Sequence, residues 1–248
     1  MMMGMPITVE IADVDAEFSA TERVFEHFRR TDERFSTHKS SSEISRLNDG
    51  LISLDACSPE LRDVLARCEE TKRLTGGAFD IVDRNGRLET SGLVKGLAIC
   101  QAAELLSSLG YEHYYVDAGG DIQAHGRNAK GKPWTVGIRN PFGGTGMVKV
   151  LAIENAGIAT SGTYLRGQHI YDPRNKNEPI TEIVSLTVIG PDIYEADRFA
   201  TAAFVMGREG IAFIARTPGL EGYLIDAAGI ATMTAGFQRF VVNAPSHA

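Results

Sequence analysis

The chain has 248 residues, 43% of them hydrophobic, enough for one large or two small globular domains with a substantial core. Its formal net charge of -7 excludes a general nucleic-acid or anionic-membrane binder, because such surfaces need a positive excess. The three cysteines, Cys57, Cys68 and Cys100, are odd in number and lack CxxC spacing, so free thiols in a reducing compartment are expected rather than a disulfide framework or a zinc site.

The start, MMMGMPITVEIADVD, has neither a basic n-region nor a long apolar h-region, and no later apolar run approaches a membrane span. No membrane insertion and a cytoplasmic location are therefore expected. Ile7, Val9 and Ile11 alternate with Thr8, Glu10 and Ala12, which predicts a first strand with one buried face. Over residues 16–35, Val24, Phe25 and Phe28 recur among charged residues at the spacing of an amphipathic surface helix. The serine-rich FSTHKSSSEISRLNDG reads as a loop with a short helical turn at SEISRLN. Ser58-Pro59-Glu60 starts a helix with a capping serine and a first-turn proline, and Leu61, Val64, Leu65 and Cys68 carry its apolar stripe towards Gly76-Gly77.

The following GGAFDIVDRNGRLETSGLVKG is too irregular for an ordinary helix, and such segments between firm elements usually carry backbone-mediated binding. A helix is expected over residues 95–109, then short strands at 114–117, 134–138, 149–153 and 157–160. After the turn-rich HIYDPRNKNEP, residues 183–189 have the strongest strand composition in the chain. EADRFATAAFVMG, residues 195–207, begins polar, turns apolar and stops at a glycine, as a helix entering a core from a site would. A second helix over 208–216 and a hairpin of 222–226 and 231–234 follow. Clustered strands with intervening helices, without strict βα alternation, predict an α+β fold. With no repeat and no low-complexity linker, residues 1–248 are expected to form a single compact domain, with room for two lobes around a cleft.

Asp197 and Thr201 are four residues apart, so on a helix both oxygens share one face and reach one point. A carboxylate beside a hydroxyl suits a hard cation such as Mg²⁺. The same spacing also fits Asp197 as a helix cap with Thr201 bonded to a carbonyl one turn earlier. Four small-residue clusters, GGAFD, SGLVKG, DAGGD and ATSG, could bring backbone N–H groups to an anion beside Lys95, or could be tight turns. No Walker A loop or GxGxxG is present, yet together with a candidate metal the clusters suggest a phosphorylated ligand. His169 and Asp172, in HIYDP, could serve a phosphate or proton transfer, or could be bonded within a turn. A hydrolase built on Ser161 and His169 is disfavoured by the missing GxSxG elbow.

Taken in order, FSTHKSSSEISRLN, GGAFD, SGLVKG, DAGGD, ATSG, HIYDPRN and EADRFATAAFVMG resemble the ApbE-like FAD:protein FMN transferases, from Met3-Gly4 to about Asp226. The resemblance implies an ApbE-like, T-fold-like α+β architecture that binds FAD in a cleft with Mg²⁺ on its diphosphate. It implies transfer of the FMN moiety to a threonine or serine hydroxyl of an acceptor flavoprotein, with release of AMP. It further implies that Asp197, Thr201 and the Gly92 carbonyl hold the metal, that Asp197 and His169 serve catalysis, and that Lys95 lies against FAD. Ala78, Phe79 and Asp80 match the segment lining the flavin nucleotide, Met3 the N-terminal MG motif, Thr160 and Ser161 the TSG turn, and His169, Tyr171 and Asp172 the HxxDP element.

Some positions depart from that pattern. His38 stands where a tyrosine is usual beside the flavin, Glu89 where an aspartate is usual near the adenosine, and Cys100 where an aspartate follows KGxAx. RNKN, with Asn175, replaces RTG, and the segment between GGAFD and SGLVKG is shorter than is common. Two other functions fit the same residues: a metal-dependent FAD pyrophosphatase yielding FMN and AMP, and a non-catalytic FAD-binding protein.

Overall fold

The computed structural model describes residues 2–163, 171–175 and 179–242. In chain order the strands are β1 (Ile7–Ile11), β2 (Tyr114–Ala118), β3 (Asp121–His125), β4 (Trp134–Arg139), β5 (Met147–Ile153), β6 (Ala156–Gly162), β7 (Ile183–Gly190), β8 (Glu221–Asp226) and β9 (Ala231–Met233). The helices are α1 (Phe18–Phe35), α2 (Glu43–Asn48), α3 (Pro59–Leu74), α4 (Ser91–Ser108), α5 (Ile193–Val205) and α6 (Gly210–Arg216). Among the described residues, seven strands form one sheet in the order β1-β2-β3-β6-β7-β8-β9, and β4 pairs with β5 as a separate two-stranded ribbon. Every pairing is antiparallel.

The sheet is covered on both faces, which explains the nearly continuous apolar run of β7. On one face Val116, Leu186, Val188 and Leu224 pack against Val24 and Phe28 of α1, Ile99 and Leu106 of α4, Phe204 of α5 and Ile214 of α6. On the other, Ile122, Ile158, Ile189 and Ile225 meet Trp134, Ile138, Leu151 and Ile153 of the ribbon, with Phe237 beneath. The result is three layers, helices on sheet on ribbon, and the expected α+β class holds. No helix among the described residues is long and apolar enough to cross a membrane.

Two elements differ from the sequence reading. Helix α4 begins at Ser91, inside the segment read as irregular, because Leu93 and Val94 are buried and tertiary packing overrides the low propensity of Gly92 and Gly96. Strand β3 was hidden by its polar residues, which point into the protein: Asp121 reaches Lys95, and Gln123 accepts from the Ile193 N–H at 2.8 Å. That bond, and the Asp192 carboxylate accepting from Glu195 N at 2.8 Å, start α5. Asp192 is therefore the cap, and the reading of Asp197 as a cap is corrected.

Where α4 crosses α5 the helices approach closely. A Cβ on Gly96 would lie 2.7 Å from the Asp197 Cβ and 3.0 Å from the Ile193 carbonyl oxygen, so the contact requires glycine. This crossing places the first turns of α4 beside one face of α5.

Candidate active site

A cavity of about 460 Å³ opens beside that crossing. Its wall includes Ala78, Phe79 and Asp80, the turn after them, Ser91, Gly92 and Lys95 of α4, Gly119 and Asp121, Thr160, Ser161 and Gly162 of β6, Tyr171, Asp172 and Pro173, and Thr201 and Val205 of α5. The first part of the wall is set by the end of α3. Gly76 and Gly77 turn the chain with φ of 58° and 81°, and Thr75 Oγ1 accepts from the Phe79 N–H at 3.1 Å. Asp80 is fixed by Lys72, 2.9 Å away, and by the Val82 N–H at 3.0 Å.

Behind the wall, Lys95 Nζ bonds Asp121 Oδ2 and lies 3.1 Å from Asp197 Oδ1. The remaining oxygens are also engaged: Asp197 Oδ2 accepts from Gly96 N at 2.8 Å, and Asp121 Oδ1 from Thr160 N at 2.9 Å. Asp197 is 2% exposed and Asp121 3%. Burial pushes the Asp197 carboxyl up to about 6, with Lys95 pulling it down and Asp121 adding to the rise. Burial alone would lower the Lys95 pKa, but Asp121 and Asp197 outweigh it and hold the ammonium above its usual range. Two buried carboxylates on one ammonium leave a formal excess of one negative charge, which a cation would balance.

The oxygen donors suit such a cation. Thr201 follows Asp197 by one turn of α5, and a Cβ on Gly92 would lie 3.7 Å from Thr201 Cγ2, so Gly92, Thr201 and Asp197 converge where the helices cross. Among the described residues no group of three or more His, Cys, Asp or Glu side chains could hold a metal ion. A cation here would use one carboxylate, a hydroxyl and a backbone carbonyl, a set that fits a hard divalent ion such as Mg²⁺.

The sequence matches the ApbE family over residues 3–85 and 82–224. The chain belongs to the ApbE family. A FAD:protein FMN transferase of Klebsiella pneumoniae is 36% identical over 177 residues, 66% of this chain and 50% of that protein. One from Salmonella typhimurium is 32% identical over 202 residues, 72% of this chain and 58% of that protein. The chain thus spans about half the length of the curated relatives it matches. The crystal structure of the ApbE protein of Thermotoga maritima has the same fold, with a TM-score of 0.87 over 98% of both chains at 21% identity. The apo flavinyl transferase ApbE of Pseudomonas stutzeri gives 0.81 over 97% of this chain and 95% of its own, at 22% identity.

Most positions singled out by the ApbE resemblance meet at this one cavity: Ala78, Phe79, Asp80, Glu89, Gly92, Lys95, Thr160, Ser161, Tyr171 and Thr201 line it, and Asp197 touches it through Lys95. Glu89 is held by the Thr37 hydroxyl at 2.7 Å and the Ser91 N–H at 3.1 Å. Three described positions are elsewhere. His38 is exposed and off the wall, and Met3, at φ 51°, packs half-buried against the core that contains Phe79 and Leu93. His169 lies outside the described residues. Asp172 is clamped by Arg174 at 2.8 and 2.9 Å, which holds its carboxyl below the usual range, and Asn175 N closes the turn on the Asp172 carbonyl at 3.0 Å. Cys100 is off the wall too; burial, then Asp192 and Glu104, push its thiol up to about 12, so a neutral group stands at that position.

Two residues escaped the sequence reading. Asp121 was visible only as part of DAGGD, and nothing local shows that its carboxylate faces a half-buried lysine on α4. Arg84, at the turn after GAFD, carried no signal at all.

Proposed function

We propose that this ApbE-family chain is a Mg²⁺-dependent FAD:protein FMN transferase, moving FMN from FAD onto a threonine or serine hydroxyl of an acceptor flavoprotein and releasing AMP. The observation that carries this reading is the convergence of Lys95, Asp121, Thr201 and Gly92 on one cavity, with Asp197 bonded to Lys95 behind them. Asp197, Thr201 and the Gly92 carbonyl would hold Mg²⁺. Bound there, the ion supplies positive charge to the diphosphate.

In the reaction, the acceptor hydroxyl releases its proton as its oxygen bonds to the FMN phosphorus, the bond from that phosphorus to the bridging oxygen breaks, and AMP leaves with that oxygen. The chain contributes positioning and a fixed charge pattern. Lys95 keeps the two carboxylates in place, and the Gly96 N–H orients Asp197. His169 and Asp197 are the proposed catalytic residues. Residues 1–248 are read as a single domain, and the free Cys57, Cys68 and Cys100 support a reducing, cytoplasmic setting.

The test is incubation of the full chain with FAD, Mg²⁺ and a candidate flavoprotein, followed by mass spectrometry and in-gel flavin fluorescence. A mass gain of one FMN on a threonine or serine is expected. Free FMN and AMP without an acceptor adduct would instead mark a pyrophosphatase, and FAD left intact would mark a binding protein.

A further inference from the structure

The short connection between the GAFD segment and α4 closes as a tight turn. Val82 and Leu88 bridge across it, Asp83 N donates to the Arg87 carbonyl at 2.8 Å, and Gly86 turns the chain at φ 77°. Asp83 Oδ1 accepts from the N–H groups of Asn85 and Arg87 at 2.7 and 2.9 Å. Arg84 projects from this turn. Its guanidinium carbon lies 3.7 Å from the centroid of the Tyr171 ring, and both side chains line the cavity.

Charge makes that position unusual. Among the described residues, the wall carries the carboxylates of Asp80, Asp83, Glu89, Asp121 and Asp172 and two cationic side chains, Arg84 and Lys95. Lys95 is taken up by Asp121 and Asp197. Among the described residues no carboxylate lies within ion-pair distance of Arg84, which packs on the aromatic ring instead. Stacking occupies the face of a guanidinium and leaves its N–H edge to donate, and that edge matches the paired oxygens of a phosphate.

We propose that Arg84 is a specificity-determining residue whose guanidinium, held on the Tyr171 ring, binds a phosphate group of the flavin dinucleotide. The proposal rests on the reading of FAD as substrate. It makes the cavity select flavins that carry a diphosphate over the uncharged riboflavin.

Arg84→Met keeps an apolar contact on Tyr171 and removes the charge, and Arg84→Lys keeps the charge without the planar fork. Arg84 is exposed on a turn, so both variants should melt like the parent. The full-length chain and both variants are titrated with FAD and with riboflavin by flavin fluorescence at several salt concentrations. Arg84→Met is expected to weaken FAD binding about tenfold or more while leaving riboflavin unchanged, with Arg84→Lys between. FAD affinity should also fall with salt more steeply for the parent than for Arg84→Met, and this decides the matter where riboflavin binds too weakly to titrate. Equal FAD affinities in parent and Arg84→Met would overturn the role of Arg84 and leave the FAD reading standing. Parallel loss of both ligands would overturn it as well, marking lost shape rather than lost charge. A parent chain that does not bind FAD would remove both readings.

Discussion

Asp121 and Asp197 share one ammonium, so each carboxylate keeps its place only while Lys95 sits between them. Asp197→Asn is the informative change: the amide retains the shape and an oxygen for the Gly96 N–H, but removes the excess negative charge. Mg²⁺-dependent turnover is expected to fall by at least ~100-fold, with FAD binding and the unfolding midpoint nearly unchanged. Full activity at saturating FAD would reject the metal assignment. The thiols give a pH test. Burial pushes Cys68 and Cys100 up to about 12, above the unfolded value near ~8.5. The folded chain therefore holds these protons better than the unfolded chain. Their contribution to stability is complete below about pH 8.5 and is lost as pH rises towards 12. At pH 8 the native thiols should react with a disulfide reagent at least ~100-fold more slowly than the denatured chain's. Equal rates would contradict the burial of Cys68 and the half-burial of Cys100.

The α4–α5 crossing decides the site at the scale of elements. Gly96→Ala would put a methyl 2.9 Å from Asp197 Oδ2 and 3.0 Å from the Ile193 carbonyl, with no flexible side-chain end to move aside. A loss of ~1–3 kcal/mol is expected in urea unfolding, together with a lowered turnover as Gly92 and Thr201 separate. A parent-like urea curve would show that the helices can part without cost. Elements whose signals are local were legible in the sequence. Ser58 accepts from Leu61 N at 3.2 Å and Pro59 opens α3 as their order implies, and β1 alternates as Ile7, Val9 and Ile11 require. What was not legible depends on a partner distant in sequence. The start of α4 is stabilised by packing on α5, and β3 looked polar because the partners of Asp121 and Gln123 lie on helices that precede and follow it. The proposed metal ligands divide differently. Asp197 and Thr201 were visible from spacing alone, whereas Gly92 came from the family resemblance and acquires a physical reason only once α4 is laid against α5.

For the whole molecule, connectivity matters more than composition. Ile7 pairs with Ala118, and β7 pairs with β8 although α5 lies between them in sequence, so the sheet joins distant parts of the chain. The cavity follows the same rule, drawing its wall from residues as far apart as Ala78 and Val205. In the full chain, Thr201→Val removes one hydroxyl from α5 at nearly the same volume, and it should weaken the Mg²⁺-dependent change in FAD fluorescence. A full response from that variant would move the cation site away from Thr201. The order of synthesis gives this feature a further meaning. On the ribosome, every glycine-rich piece of the cavity is made before the helix that completes it. On the proposed reading, a nascent chain has no cation site to offer until Thr201 has been added. Capture of the dinucleotide would then be a late event in maturation, one that stabilises only chains that have already assembled their last layers.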